Sequence, residues 1–355
     1  MPFLRGFTRK TLFSSASAER RKKEHYCYLK NGSEVLEELL ALCDGNCRIP
    51  IRYFSAIEIH NAIKHSKTKM DLAGHVSMVT GSLDNRPVLI RFDTCEFNNI
   101  HRDIAISAQM SHLKNVLRLI GCCLEFEKAV MVYEYVEGIS LFDLLFKKDN
   151  LNRKSLCWGN RLRVAREVAS AIVFLHTEST TPIIHRSIKP SNVIIDEKRG
   201  IAKILNFSLS ISLPPGELEV LDDGLLTRKG PYDIMESTHS IETIDFEENT
   251  KSNTEEGNSM DRVDSTNSKE AIDFKNLPTN YFVDRNIKEG NIMDLEDPIM
   301  LEEPGIEIQQ QLNDCLDLVK KCTSDEGDDR PCMIHVAREL SRIEKCFHAL
   351  TLGQN

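Results

Sequence analysis

Residues 183–208 constrain this chain more than any other stretch. They read Ile-Ile-His-Arg-Ser-Ile-Lys-Pro-Ser-Asn-Val-Ile-Ile-Asp, then Glu-Lys-Arg-Gly, then Ile-Ala-Lys-Ile-Leu-Asn-Phe-Ser. Two short apolar runs, 193–195 and 202–205, flank a turn at Lys198-Arg199-Gly200, which predicts a hairpin. Polar residues stand at both ends of it. His185, Arg186, Ser187, Lys189 and Asn192 precede the hairpin, and Asn206 comes after it.

The frame His-Arg-x-x-Lys-Pro-x-Asn at His185, Arg186, Lys189, Pro190 and Asn192, with its spacing to Asn206-Phe207-Ser208, resembles the catalytic loop, hairpin and metal-binding turn of a eukaryotic protein kinase. The resemblance implies an α+β, bilobal protein kinase-like fold. The chemistry departs from the frame. A kinase uses an Asp to accept the substrate hydroxyl proton, and Ser187 stands at that position; such a base contributes about 10²–10⁴ in rate. A kinase holds magnesium with the Asp of Asp-Phe-Gly, and here Asn206 offers an uncharged oxygen instead. Ser208 replaces the flexible Gly. These exchanges read as a pseudokinase with no intact catalytic residue and no metal site.

The chain has 355 residues, a net charge of −9 and an isoelectric point of about 5.7, which fits a two-lobed domain with extensions and gives no support to nucleic-acid binding. Its 11 cysteines show no metal-ligand spacing and read as free thiols of a reducing cytosol. No apolar run is long enough to span a membrane, and no signal peptide is expected. Segment 1–27 is basic and Ser-rich and reads as a disordered arm, for which peripheral contact with anionic lipid stays open. Pro2 comes directly after the initiator Met, which excludes myristoylation.

Segment 28–69 reads as a helical lead-in. Val35, Leu36, Leu39 and Leu40 share a face, with Ser33 as a candidate N-cap, and Ser55 caps a second short helix over 57–63. This lead-in resembles that of a subfamily of plant cytoplasmic receptor-like pseudokinases. Segment 70–136 is the expected N-lobe. The glycine cradle for phosphates is reduced to Gly74 in Ala73-Gly74-His75-Val76-Ser77. Arg91 stands where the resemblance implies a phosphate-pairing Lys, and Asp103 where it implies the partner Glu. A longer cation with a shorter anion predicts a retained pair. The resemblance implies that Tyr133 is the gatekeeper and that Glu134 to Val136 form the hinge.

Segment 137–216 reads as the first part of the C-lobe. Helices are expected over 141–146 and 159–176, the second with Leu162, Ala165, Val168, Ala169, Ile172 and Leu175 on one face. Beyond Gly216 the kinase pattern breaks down. No Ala-Pro-Glu motif and no central buried helix are found. Segment 217–276 reads as an acidic disordered insert, dense in Asp and Glu from 236 to 273 against only Lys251, Arg262 and Lys269. The C-lobe is therefore expected to be degenerate or incomplete, with a gap between 159–176 and the terminal helices. Those helices lie in 277–355, one lined by Ile308, Leu312, Cys315 and Val319, the other by Ala337, Leu340, Ile343 and Phe347. Arg330 between them faces no Ala-Pro-Glu carboxylate.

The family resemblance implies a non-catalytic adaptor of plant innate immunity. Its implied partners are a coiled-coil nucleotide-binding leucine-rich-repeat receptor and other cytoplasmic receptor-like kinases, and its implied location is the cytoplasm or the periphery of the plasma membrane. It requires no cofactor. Arg91, Asp103, Glu134, Val136, Lys189 and Asn192 offer a weak ATP site at most. Two alternatives stay open from the sequence: a weakly active serine/threonine kinase, and the product of a degenerate gene.

Overall fold

The computed structural model describes residues 17–43, 51–64, 66, 69–72, 76–93, 98–146, 156–177, 181–213, 308–324 and 327–352. The insert expected over 217–276, the stretch 277–307 and the glycine cradle at 73–75 lie outside the described residues.

A six-stranded sheet of order β1-β5-β6-β4-β3-β2 forms the N-terminal half: β1 (Arg52–Tyr53), β2 (Lys69–Leu72), β3 (Val76–Leu83), β4 (Arg86–Asp93), β5 (Leu119–Cys123) and β6 (Val130–Glu134). Strands β3 and β4 join through Asp84-Asn85, both at positive φ (49° and 59°), a conformation these two residue types tolerate and tight hairpins need. Strand β4 is central, with Arg91 opposite Met78 on one side and Met131 on the other. Its side chains alternate. Val88 and Ile90 bury against helix α2 (Ala56–Ile63), in one cluster with Ile59 and Ala62. Leu89 faces the other way, with Met78, Ile104 and Met131. Cys122 and Cys123 divide the same way, one in each cluster, because neighbours on a strand point apart.

Ser55 caps α2 in a capping box with Glu58. Helix α3 (Ile100–Met110), capped by Asn99, lies against the Leu89 side and buries Ile104, Ala105 and Ala108. The helix before the sheet, α1 (Ser17–Cys43), corrects the expected boundaries. The disordered arm read over 1–27 is helical from Ser17, and Ser33 is no N-cap: it lies inside α1 and donates from Oγ to the Lys30 carbonyl at 2.8 Å. The cause is a run of strong helix formers from Ala18 to Glu24, with an Arg20–Glu24 pair one turn apart at 3.2 Å. One face of α1 docks through Cys27, Asn31, Val35 and Leu42, all buried.

The C-terminal half holds β7 (Gly138–Ser140), α4 (Leu141–Phe146), α5 (Trp158–Thr177), β8 (Ile183–Ile184), β9 (Val193–Asp196), β10 (Ile201–Ile204) and β11 (Ile211–Ser212). Strands β10, β9 and β7 form one sheet and β11 pairs with β8. Gly200, at φ 65°, closes the β9–β10 turn as the sequence predicts. Two terminal helices complete this half, α6 (Ile308–Cys322) and α7 (Met333–Leu352).

The gap expected between α5 and the terminal pair is not seen where these helices meet. Gly159 leaves no room for a Cβ beside the Phe347 ring, Arg166 pairs with Glu344, and the buried Trp158 Nε1 donates to Gln311 Oε1 at 2.7 Å. The face of α6 is also shifted. Ile308, Gln311 and Leu318 are buried, whereas Val319 is 40% exposed, because it lies one residue, about 100°, around the helix from Leu318. Arg330 donates from Nε to the Ser324 carbonyl at 2.7 Å.

Candidate functional site

Residues two apart on a strand share a face, so β4 presents Leu89, Arg91 and Asp93 together. Arg91 is wholly buried. Its Nη1 donates to Asp103 Oδ2 of α3 at 2.6 Å. Its Nη2 donates to Asp93 Oδ2 and to Asn206 Oδ1, both at 3.0 Å. Burial pushes the guanidinium toward the neutral form, but Asp103, Tyr133 and Asp93 outweigh it and hold Arg91 above its ordinary value. The carboxylates are themselves occupied. Asp103 Oδ1 accepts from Ser107 Oγ and from the Phe207 backbone N–H, each at 3.0 Å, and Asp93 Oδ2 accepts from Asn98 Nδ2 at 2.9 Å.

The catalytic-loop frame continues this network. Asn206, at φ 71°, donates from Nδ2 to Asn192 Oδ1 at 3.2 Å, and its Oδ1 also accepts from Ser208 Oγ at 2.9 Å. Asn192 Nδ2 donates to the Ser187 carbonyl at 2.9 Å and to Ser187 Oγ at 3.0 Å. Phe207 points inward into the cluster of Ile106, Val116 and Leu175, its ring 4.8 Å from that of His185. His185 Nδ1 accepts from the Ser187 N–H at 3.2 Å and Nε2 lies 3.2 Å from the Leu205 carbonyl, which fixes a neutral tautomer with the proton on Nε2. Burial pushes this imidazole down to about 4.

The arrangement has chemical consequences. The one cation, Arg91, is paired with two carboxylates, Asp93 and Asp103, so its charge is directed to groups of the protein and not to a phosphate. The two amide oxygens at the metal-ligand positions, Asn192 Oδ1 and Asn206 Oδ1, each accept an N–H from within the network. Asn206 Oδ1 accepts two bonds, from Arg91 Nη2 and Ser208 Oγ, so a magnesium ion would have to displace one of them to reach it, and both oxygens are uncharged amides. Ser187 offers a hydroxyl with no base bonded to it in this network. Above these groups Leu89, Tyr133, Val136 and Ile194 are buried within one apolar cluster, on the side of β4 that Arg91 faces.

Of the residues singled out in the sequence, Arg91, Asp103, Asn206, Asn192, Ser187 and His185 come together. Glu134 and Val136 stand apart. Glu134 pairs with Lys203 at 2.9 Å and Arg118 at 3.5 Å, and Val136 packs into the apolar cluster. Lys189 precedes a 3₁₀ turn, Pro190–Asn192, with an extended backbone. Arg186 takes φ 62°, and its buried Nε has no hydrogen-bond partner. Asp93 and Ser107 join the site without having been singled out in the sequence. Both carry a signal: Asp93 lies two residues after Arg91 on a strand, and Ser107 one helical turn after Asp103.

This geometry makes the buried cation testable. Arg91→Met removes it from two buried carboxylates and is expected to destabilise the fold by about 3–5 kcal/mol, read from the urea midpoint. A loss under 1 kcal/mol would show that the carboxylates are neutralised in another way. His185 gives a pH test. The unfolded side chain takes up its proton near pH 6.5 and the folded one only near 4. Stability is therefore full above pH 6.5 and falls as pH drops from about 6.5 towards 4, by on the order of 3 kcal/mol. His185→Asn should flatten that part of the pH–stability curve; an unchanged slope would refute the assignment.

The protein kinase domain family matches residues 89–229. The Arabidopsis thaliana serine/threonine-protein kinase ZRK4 is 32% identical, with 93% of this chain and 95% of that one aligned. The non-functional pseudokinase ZRK2 of Arabidopsis thaliana is 30% identical over 94% of this chain and 96% of its own length. The non-functional pseudokinase ZED1, also of Arabidopsis, is 35% identical over 64% of this chain and 70% of its own. The chain therefore belongs to the plant protein kinase-like family that contains these kinases and pseudokinases.

Proposed function

We propose that this chain is a catalytically inactive, protein kinase-like adaptor of plant innate immune signalling, which binds a coiled-coil nucleotide-binding leucine-rich-repeat receptor and other cytoplasmic receptor-like kinases. The observation that carries the inactive part is the commitment of Arg91 to Asp93, Asp103 and Asn206. A cation bound on three sides inside the protein is not available to phosphates. The ordered network argues against a decayed gene product. Relatives named as non-functional pseudokinases support the reading, and relatives named as kinases keep weak phosphotransfer as the alternative. No cofactor is required, and ATP binds weakly at most, with little dependence on magnesium. The proposed location is the cytoplasm, with peripheral contact at the plasma membrane. Among the described residues no helix is long and apolar enough to cross a membrane.

A surface for such a partner is the outer side of α1. Leu29, Leu36 and Leu40 are 57%, 55% and 58% exposed, and their spacing of seven and four residues sets them in one stripe.

Purified protein with magnesium, ATP and a generic substrate should match a buffer blank. Ser187→Asp with Asn206→Asp should not restore full activity, because Arg91 remains held. Turnover by the unmodified chain would end the inactive reading. Co-expression with coiled-coil receptors of this class should give a stable complex with at least one, weakened about tenfold or more by Leu36→Glu with Leu40→Glu. Absence of any complex would remove the adaptor role.

A further inference from the structure

The connection between α1 and Ser210, just after the Asn206-Phe207-Ser208 turn, is continuous and polar. Glu38 lies on the side of α1 turned to α3. Its Oε1 accepts from Asn99 Nδ2 at 2.7 Å and its Oε2 accepts from Arg102 Nε at 3.0 Å. Asn99 is the N-cap of α3, and its Oδ1 receives the Arg102 backbone N–H at 3.0 Å. One carboxylate thus holds both the cap and the first-turn cation of the helix that carries Asp103. Arg102 reaches on, from Nη1 to the Ser210 carbonyl at 3.2 Å. Ser210 is wholly buried, and its Oγ donates to the His185 carbonyl at 3.0 Å.

The segment just after Ser210 is weakly built. Strands β11 and β8 pair over two residues each, with one further bond from the Leu213 N–H to the Pro182 carbonyl at 2.9 Å. Ile183, Ile184 and Leu213 are buried, but the backbone pairing is this short, so the place of residues 211–213 leans on how Ser210 is anchored. Arg102 is about one-third exposed, and a free Arg of that kind loses considerable rotamer entropy when it is fixed. Glu38 fixes it in advance. The far end of the connection is also firm. Asn31, two turns before Glu38, donates from Nδ2 to the carbonyls of Leu124 and Phe126 at 2.8 and 2.9 Å.

We propose that Glu38 is a positioning residue: through Arg102 it couples the lead-in helix α1 to the order of residues 210–213. A molecule that displaces α1, or braces it, then changes the order of residues 210–213 without touching them. This coupling holds whatever the identity of the partner.

Hydrogen exchange of the full chain, read by mass spectrometry, tests it through a double-mutant cycle of Glu38→Ala and Arg102→Ala. Amides 210–213 are expected to exchange about tenfold faster in each single variant, and no faster in the double variant than in Arg102→Ala alone. Amides of α5 should not change. Independent, multiplying effects would show two local contacts and no coupling. Should Glu38→Ala loosen the whole protein, Glu38→Gln decides, since it keeps an oxygen for Asn99 and removes the charge that faces Arg102. Faster exchange at 210–213 with α5 unmoved supports the coupling. Unchanged exchange at 210–213, or equal acceleration in α5, overturns it.

Discussion

A guanidinium with no access to water is the constraint on which the rest of this fold depends. Taking an ion that size out of water is costly, and it is tolerated only where close opposite charge and hydrogen bonds replace the lost solvation. Arg91 obtains both, from Asp93 on its own strand, Asp103 on α3 and Asn206 beyond the β9–β10 hairpin. Each partner comes from a different part of the chain, so the requirement fixes three elements at once. Helix α3 has to lie close to the sheet, and the turn at Asn206 has to approach β4. The inward Phe207 is a consequence, since its N–H completes Asp103.

The same groups explain how a kinase frame persists without kinase chemistry. A lysine at this position would leave a compact charge with room for phosphate oxygens. The fork of an arginine matches carboxylates and amides along two directions. Once those acceptors are present, both terminal nitrogens of Arg91 are bound within the protein, and its buried Nε alone has no hydrogen-bond partner. The positive backbone angles at Arg186 and Asn206 are still held, although nothing in the network uses them for transfer. Such conformations persist where surrounding bonds over-determine them, and the bonds around Ser187, Asn192 and Ser210 do so here.

Much of this is legible in the sequence. The hairpin after Asn192, the strand carrying Arg91 and the capped helix after Ser55 derive from spacing and residue type, and the Arg91–Asp103 approach from the kinase resemblance. Asp93 is harder to see: its place two residues after Arg91 puts it on the same face, but a lone Asp at the end of an apolar strand also reads as a solvent-facing terminus, and burial decides between them. The start of α1 is hidden for a related reason. Its basic residues suggest a solvated arm, yet Lys and Arg are good helix formers, and the docking residues Cys27, Asn31 and Val35 come later in the sequence than the start they justify. The shift of α6 by one residue has the same origin. A polar residue, Gln311, takes a core position because Trp158 supplies its partner from more than a hundred residues away, and no local pattern carries that information.

The adjacent thiols of β5 have a consequence of another kind. Cys122 and Cys123 sit in separate apolar clusters on opposite faces of the sheet. Burial raises both thiols far above their ordinary value, Cys123 to about 12. Neither is a thiolate at neutral pH, and the thiolate is the form that oxidants and alkylating agents attack. An oxidising burst would therefore leave this pair unmodified for as long as the sheet stays closed. Their loss of silence towards a thiol reagent would time the opening of each face of the sheet separately.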